Sequence, residues 1–391
     1  MTRPVYLEDA YRTELSTRVV ACDGEIATLE ETILYPEGGG QPSDRGTVGG
    51  VAVREVLREA GGAIRHVLER PVEPGEVVVE LDWARRFDHM QQHTAQHLLS
   101  ALAEDRLGIA TMAFHLGAED STIEFDAPAI DPEAAARLED LAAAEIRAAR
   151  PVCSRIVEAE DLAGLRVSTR GLPEGHSGGI RLVEIEGVDR NTCGGTHVRS
   201  TAELEVVRIS AVERIRGRVR VHYLAGGRVR AWARGAAERE RRLTELLGAG
   251  PGEHAGKVER LLESARAAEK DRRRIEEELA GALASTLVAG EGRLIDVHRP
   301  ESDPAFLEGL ARAVLERDPE RLVFLTGGPS SGPGSFLLAG PDDPVRTAGP
   351  IVAEALGGRG GGRGGRFQGK ASRLEGRAGA VERLREALAR S

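Results

Sequence analysis

Two short stretches, far apart in the chain, restrict its fold more than anything else in it. In the first, Gln91-Gln92-His93-Thr94-Ala95-Gln96-His97-Leu98-Leu99, two histidines stand four apart in a run of good helix formers, with apolar residues at Met90, Leu98, Leu99 and Leu102. Residues so spaced leave one helix face a turn apart, so the two imidazoles project side by side. The second, Asn191-Thr192-Cys193-Gly194-Gly195-Thr196-His197, puts a thiol and an imidazole four apart across a glycine pair. The glycines relieve the backbone at a tight bend, so both groups can fold back onto one ion. Three ring nitrogens and one thiolate, from His93, His97, Cys193 and His197, are a donor set that suits zinc. The fold must therefore bring two remote segments to one point. A lone H-x-x-x-H is more often structural, and Thr94 stands where a metalloprotease of the H-E-x-x-H type carries its general base, so that reading is poor.

The other histidines and cysteines show no such pairing. His89, one turn before His93, reads as a capping or supporting residue, and His66, His176, His222, His254 and His298 as ordinary ones. Cys22 and Cys153 read as packing residues; with Cys193 they lie too far apart to make a disulfide framework, which points to a reducing cytoplasm. Met1 is followed by Thr2-Arg3-Pro4 and nothing like a signal peptide, and no apolar run reaches the ~18 residues of a membrane span. With 391 residues, 41% hydrophobic and 30% charged, the chain reads as a soluble globular protein too long for one core.

A formal net charge of −10 argues against general coating of nucleic acid. Yet Glu205 to Arg242 holds 11 Arg against 4 Glu, and Ala353 to Ser391 holds 8 Arg and 1 Lys against 4 Glu. Such local basic regions suit selective phosphate contact, or are solvated helix faces.

The expected fold is multidomain α+β. Residues 1–84 read as a small antiparallel β-barrel, from short runs such as Val19-Val20-Ala21, Ile26 to Leu29, Val51 to Val53, Ile64 to Leu68 and Val77 to Val79 between glycine and proline turns. Within them, Tyr35-Pro36-Glu37-Gly38-Gly39-Gly40-Gln41-Pro42 is too rich in breakers for a strand and reads as a turn, or as a loop that closely approaches a ligand or another domain. Residues 85–228 read as the α+β zinc domain. Its histidine helix is expected from about Asp88 to Asp105, followed by a hairpin through Phe114 and Thr122, a helix over Asp131 to Arg150, and strands at Ile180 to Ile185, Glu203 to Ile209 and Val219 to Leu224. Residues 229–290 read as a helical spacer or coiled coil fit to pair two chains, with Val258, Leu261, Ala265, Ala268, Ile275, Leu279 and Ala282 near a 3.5-residue repeat. Residues 291–391 read as an α/β, Gly-rich C-terminal domain for RNA binding or oligomerisation. Its run Gly357 to Gly369 is flexible by composition alone, or wraps a phosphate backbone with Arg359, Arg363 and Arg366.

His93-x-x-x-His97 and Cys193-Gly194-Gly195-Thr196-His197, with Tyr35 to Pro42 upstream, resemble the free-standing alanyl-tRNA editing proteins of the AlaX type and the editing half of alanyl-tRNA synthetase. The basic Gly-rich tail resembles the synthetase's C-terminal domain, shared with some DHH-type phosphoesterases, so the resemblance implies a long form of the editor. It implies hydrolysis of the ester between a wrong amino acid, serine and in second place glycine, and mischarged alanine tRNA, at a zinc ion. Ester hydrolysis needs a polarised carbonyl, an activated water and a stabilised oxyanion, all within reach of zinc chemistry.

Four protein ligands ordinarily close a structural site, whereas catalytic zinc keeps a position open. Cys193 is read as a ligand with some freedom and, with Gln96 and Thr94, as part of the catalytic set. Gln96, Thr94 and Thr122 are candidate partners for the serine hydroxyl; the family resemblance leaves that role open, since the synthetases often carry threonine where this chain has Gln96. Thr122, Arg181 and Asp189 are candidate substrate contacts or supports, as is His115. The rival readings are a non-catalytic, zinc-stabilised RNA-binding module, and a phosphoesterase for which the chain lacks an Asp-rich two-metal cluster.

Overall fold

The structure, a computed structural model, describes residues 2–59, 61–158 and 179–389; His176 lies outside them. The chain divides into two compact units, Met1–Arg242 and Leu243–Ser391. In the first, strands Glu14–Asp23, Ile26–Leu29, Ile64–Leu68, Val51–Arg58, Gly46–Val48 and Gly75–Leu81 pair in that order into a closed barrel, every pairing antiparallel. Alternation sets the inside: Leu15, Thr17 and Val19 are buried while Glu14, Ser16 and Arg18 face out. His66 lies buried in this unit, its Nε2 2.9 Å from Thr32 Oγ1, and burial holds its pKa down at about 4, so the ring is neutral at pH 7.

Helix α1 covers Trp83–Leu107, starting earlier than the histidine pattern predicts. Asp82 caps it by accepting from the Arg85 N–H at 3.1 Å, and Trp83 is held between Tyr11 and Phe87 at ring distances of 5.2 and 5.4 Å. Gly108 ends it in the left-handed conformation. The helix thus begins ahead of the expected start at Asp88.

Arg86, in that turn, ties the helix to the barrel. Its side chain and that of Asp44 are both fully buried and form an ion pair, Nε lying 3.1 and 3.0 Å from the two carboxylate oxygens. The guanidinium also donates to the Ala10 and Ile33 carbonyls at 2.7 and 2.6 Å, and Asp44 accepts the Tyr35 N–H at 2.6 Å. The carboxylate is thereby tied to the edge of the Gly-rich loop as well as to the helix.

The rest of the first unit packs around α1. Strands Val207–Ile215, Arg218–Ala225, Ser121–Phe125 and Thr111–Leu116 form one sheet in that order, and Val152–Val157, Ile180–Ile185 and Asp189–Thr192 another. Helix α2, Pro132–Arg147, is capped by Asp131. Met90, Leu98, Leu99 and Leu102 share one core with Ile123, Phe125, Leu138, Val183 and Val221. The strand expected from Glu203 begins instead at Val207, because Thr201–Leu204 makes a 3₁₀ turn. Within that turn the Glu203 carboxylate accepts from Tyr11 Oη at 2.7 Å and from the Arg199 N–H at 3.1 Å.

Helix α3 spans Gly227–Leu247. In the second unit, α4 runs over His254–Val288, but Val258, Leu261, Ile275 and Leu279 of the spacer repeat are exposed, and only Ala280 and Ala284 are buried. The sheet order is Leu294–Arg299, Leu322–Gly327, Gly334–Ala339, Arg366–Ala371, Arg359–Gly361, and only the first pair is parallel. It is a mixed sheet rather than the parallel sheet of an α/β domain. Helix α5, Pro304–Arg317, packs with the end of α4 on one cluster of apolar side chains, and α6, Asp342–Ala355, with α7, Arg377–Ala389, on a second. The Gly-rich tail is an ordered hairpin, because its backbone pairs and Phe367 stacks on Phe336 at 6.2 Å. Among the described residues no helix is long and apolar enough to cross a membrane.

Replacing Arg86 by Met keeps bulk but leaves the Asp44 carboxylate buried without a cation, which should destabilise the first unit by about 3–5 kcal/mol in urea unfolding. Adding Asp44→Leu should recover much of that loss.

Candidate functional site

Eleven consecutive residues of α1, His89 to Leu99, are buried, and seven of them are polar. A buried polar group without a partner is costly, so the surroundings of this helix must supply partners for most of them. Gln92 Nε2 donates to the Ala225 carbonyl at 3.1 Å and its Oε1 accepts the Ala225 N–H at 2.9 Å. Gln91 donates to the Glu203 carbonyl at 2.7 Å and accepts the Gly227 N–H at 3.2 Å. Gly226, at φ +56°, passes so close that a Cβ there would overlap the Gln91 amide. These bonds fix α1 about its own axis and so fix where its histidines point.

His93, His97, Cys193 and His197 come together, their candidate ligand atoms all within 4.8 Å of one another. The Cys193 Sγ lies 3.4 Å from both His93 Nε2 and His197 Nε2. Each ring has its other nitrogen tied elsewhere. His93 Nδ1 donates to Gln41 Oε1 at 2.9 Å, His97 Nδ1 to Asp189 at 2.9 Å, and His197 Nδ1 to Thr94 Oγ1 at 3.1 Å. This turns the Nε2 atoms inward, the arrangement in which outer partners set the tautomer of a ligating histidine. The donors therefore fit a divalent ion of the kind that takes nitrogen and thiolate sulfur.

The bend at Cys193 is built for this. Gly195 lies against His93 and Gln41, where any Cβ would collide with the His93 ring. Its N–H points at Cys193 Sγ at 3.3 Å, and Arg181 Nη1 clamps the Cys193 and Gly195 carbonyls at 2.9 and 2.8 Å. Burial alone would push the Cys193 thiol up. The neighbouring His93 and His197 rings and their hydrogen bonds outweigh it and hold the thiol well below its usual range. Burial, helped by the charge of His93, pushes His197 down to about 3. On His97 burial also opposes the proton, but hydrogen bonds to Asp189 and Cys193 overcome it and lift the ring to about 10.

A cleft of about 540 Å³ opens over the centre, lined by Tyr35, Gly38, Gly39, Arg58, Gln96, Phe114 and Arg181 among others. Gln96 is 3% exposed; its Nε2 donates to Ser100 Oγ at 2.8 Å, while its Oε1 has no hydrogen-bond partner among the described residues. Thr94 lies behind the centre, its hydroxyl accepting the Val198 N–H at 3.2 Å as well as His197. Asp189 supports His97, and Arg181 braces the bend. Thr122 is half-buried mid-strand, in register with His115 and His222, and does not line the cleft. His89 stands outside the four-donor cluster, with Nδ1 buried and unpartnered. Arg359, Arg363 and Arg366 are exposed on the hairpin of the second unit.

Reading the sequence did not single out Gln41, whose side chain accepts from His93 and from the Thr196 N–H at 3.1 Å and donates to Thr196 Oγ1 at 2.9 Å. The signal was the glycine density around it, the mark of backbone passing close to another segment.

Three neutral imidazoles and a thiolate can all face an ion only once the proton shared between Cys193 and His97 has left, so uptake of a divalent ion at about pH 7.5 should release about one proton. Calorimetry in buffers of different ionisation enthalpy measures this number. Asp189→Asn should weaken metal affinity by roughly 10- to 100-fold, read by competition with a chromogenic chelator.

Residues 180–220, which carry the Cys193 bend, match the family described as "Threonyl and Alanyl tRNA synthetase second additional domain". "Alanyl-tRNA editing protein Aarsd1" of Mus musculus is 39% identical over 376 residues, covering 91% of this chain and 90% of its own length. "Alanyl-tRNA editing protein Aarsd1-A" of Xenopus laevis is 38% identical over 375 residues, with the same coverage. "Alanine--tRNA ligase" of Pyrobaculum neutrophilum is 32% identical over 388 residues, 92% of this chain and 42% of the ligase. With identity of this level over 91% of the chain and 90% of these relatives, the chain belongs to the family of alanyl-tRNA editing proteins.

Proposed function

We propose that this protein is a deacylase that hydrolyses the ester between a misattached amino acid, serine and in second place glycine, and the terminal adenosine of alanine tRNA, with zinc held by His93, His97, Cys193 and His197. The observation that carries this reading is the convergence of three imidazole nitrogens and a thiolate at an open cleft, in a chain whose relatives are named for alanyl-tRNA editing. Zinc bound there supplies a Lewis acid and a fixed positive charge for the ester. In the reaction a water oxygen adds to the carbonyl carbon, the bond to the ribose oxygen breaks, and that oxygen takes a proton, leaving free serine and uncharged tRNA.

The chain's own residues position the pieces. Gly38 and Gly39 on one wall and Gly194 and Gly195 on the other leave room for a nucleoside, and Phe114 offers an aromatic edge beside His93, at a ring distance of 5.6 Å. No carboxylate lines the cleft among the described residues, which favours passage of the water's proton through the substrate's own ribose hydroxyl. The unpaired Gln96 Oε1 is the acceptor for the serine hydroxyl. With alanine in the cleft it stays unpaired, so serine is favoured by the bond it adds. The exposed arginines Arg359, Arg363 and Arg366 are contacts for the tRNA body, and the exposed apolar row on α4 supports pairing of two chains.

One observation favours the rival reading of a non-catalytic zinc module that binds RNA. Four protein donors can complete a tetrahedral site and leave no open position. Serine-charged alanine tRNA separates the two: release of serine that stops with a chelator and returns with zinc supports the deacylase, and binding without turnover supports the module. Cys193→Ala should lower deacylation by at least about 100-fold while changing tRNA affinity by less than about threefold. Gln96→Ala should reduce the preference for serine-charged over alanine-charged tRNA by about tenfold; an unchanged ratio dismisses Gln96 as the discriminating group.

A further inference from the structure

The cleft over the metal centre has an electrostatic character that the chemistry of the ester does not explain. The protein carries a formal net charge of −10, yet the lining of this cleft holds two guanidiniums, Arg58 and Arg181, and no carboxylate. Arg181 is half-buried, spends Nη1 on the Cys193 and Gly195 carbonyls, and has its Nε buried without a hydrogen-bond partner among the described residues. Arg58 is different. It is the last residue of barrel strand Val51–Arg58, on the barrel side of the cleft with Tyr35, Pro36 and Leu7, and it is exposed.

Arg58 makes one side-chain hydrogen bond among the described residues, from Nη2 to Tyr6 Oη at 2.7 Å, and no ion pair. That single bond is a mounting. Tyr6 is fully buried, packs edge-on against Tyr35 at 5.4 Å, and Tyr35 Oη donates to the Gly38 carbonyl of the Gly-rich loop at 2.8 Å. The guanidinium is thus held by a rigid aromatic pair on a barrel strand, with its other N–H donors unclaimed. A carbonyl oxygen or an adenine ring can take a single hydrogen bond or a stacking contact from such a group, but neither uses both its fork and its charge. A phosphate does, since a guanidinium fork matches phosphate oxygens in geometry and charge.

We propose that Arg58 binds the phosphodiester of the nucleotide that bears the ester. The assignment rests on the deacylase reading of the same cleft and adds to it a phosphate subsite on the barrel side. It gives the barrel a part in recognition, because the strand end that presents Arg58 and the loop that presents Gln41 both belong to it. The subsite makes the enzyme prefer an acylated nucleotide to an acylated nucleoside.

The test compares two small esters, serine attached to the ribose of adenosine and serine attached to the ribose of adenosine 5′-phosphate. The wild-type protein should show a kcat/KM for the phosphate-bearing ester at least about tenfold higher, the equivalent of one charge-assisted hydrogen bond. In Arg58→Gln that ratio should fall close to one, and Arg58→Lys, which keeps the charge but not the fork, should lie between. Because the readout is a ratio within each protein, partial loss of folded enzyme does not mimic it. A wild-type ratio near one, or a tenfold ratio that survives in Arg58→Gln, overturns the phosphate subsite and leaves the deacylase reading intact. Should neither small ester turn over, the same comparison is read as inhibition of serine-tRNA deacylation by adenosine and by adenosine 5′-phosphate, with the same two outcomes; absence of turnover on the charged tRNA itself removes the deacylase reading and the subsite with it.

Discussion

A helix that is buried on every side and yet polar on most of them is the constraint from which the first unit follows. An apolar helix can rotate or slide by a fraction of a turn at small cost, since oil on oil has little preference. Helix α1 cannot, because Gln91, Gln92, His93, Thr94 and His97 each need a particular acceptor or donor from a particular strand or loop. The partners come from the barrel loop at Gln41, from the sheet residue Asp189, from the 3₁₀ turn at Glu203 and from the strand end at Ala225. Satisfying them all admits one orientation of the helix.

The four donors are cross-braced by the same bonds. No ligating histidine is supported by its own neighbours in sequence: His93 leans on the barrel, His97 on the sheet, and His197, from the bend, on Thr94 of the helix. A displacement of any one segment therefore turns a ring belonging to another. That coupling explains why the residues read from the sequence as candidate actors are mostly supports. Thr94 and Asp189 orient rings and Arg181 holds the backbone of the bend, while Gln96, on the lining of the cleft, keeps an acceptor oxygen without a partner among the described residues.

The four donors were legible because histidine spacing on a helix and cysteine spacing across glycines are local signals, and chemistry demanded that they meet. The barrel was legible from the alternation of short apolar runs with breakers. The first turn of α1 was not, since Trp83, Arg85 and Arg86 carry no helical periodicity and the cap at Asp82 lies ahead of the histidine pattern. Nor was the order of the Gly-rich tail, because its pairing partner, the strand Gly334–Ala339, is remote and contributes nothing to local composition. The roles of Gln41 and Arg58 escaped for the same reason. Each is defined by a contact with a residue distant in the chain, and a glutamine or an arginine in a strand-and-loop region has no spacing signature of its own.

The placement of the two half-sites also bears on how the molecule matures. The helix pair His93 and His97 is complete as soon as α1 forms, but Cys193 and His197 arrive only when the later strands have docked and the barrel loop has closed over His93. Two imidazoles on an isolated helix grip an ion weakly, and four donors grip it firmly. A copy of the chain that stops short of the bend would carry only His93 and His97 of the four candidate donors, and its hold on a divalent ion would be correspondingly weaker.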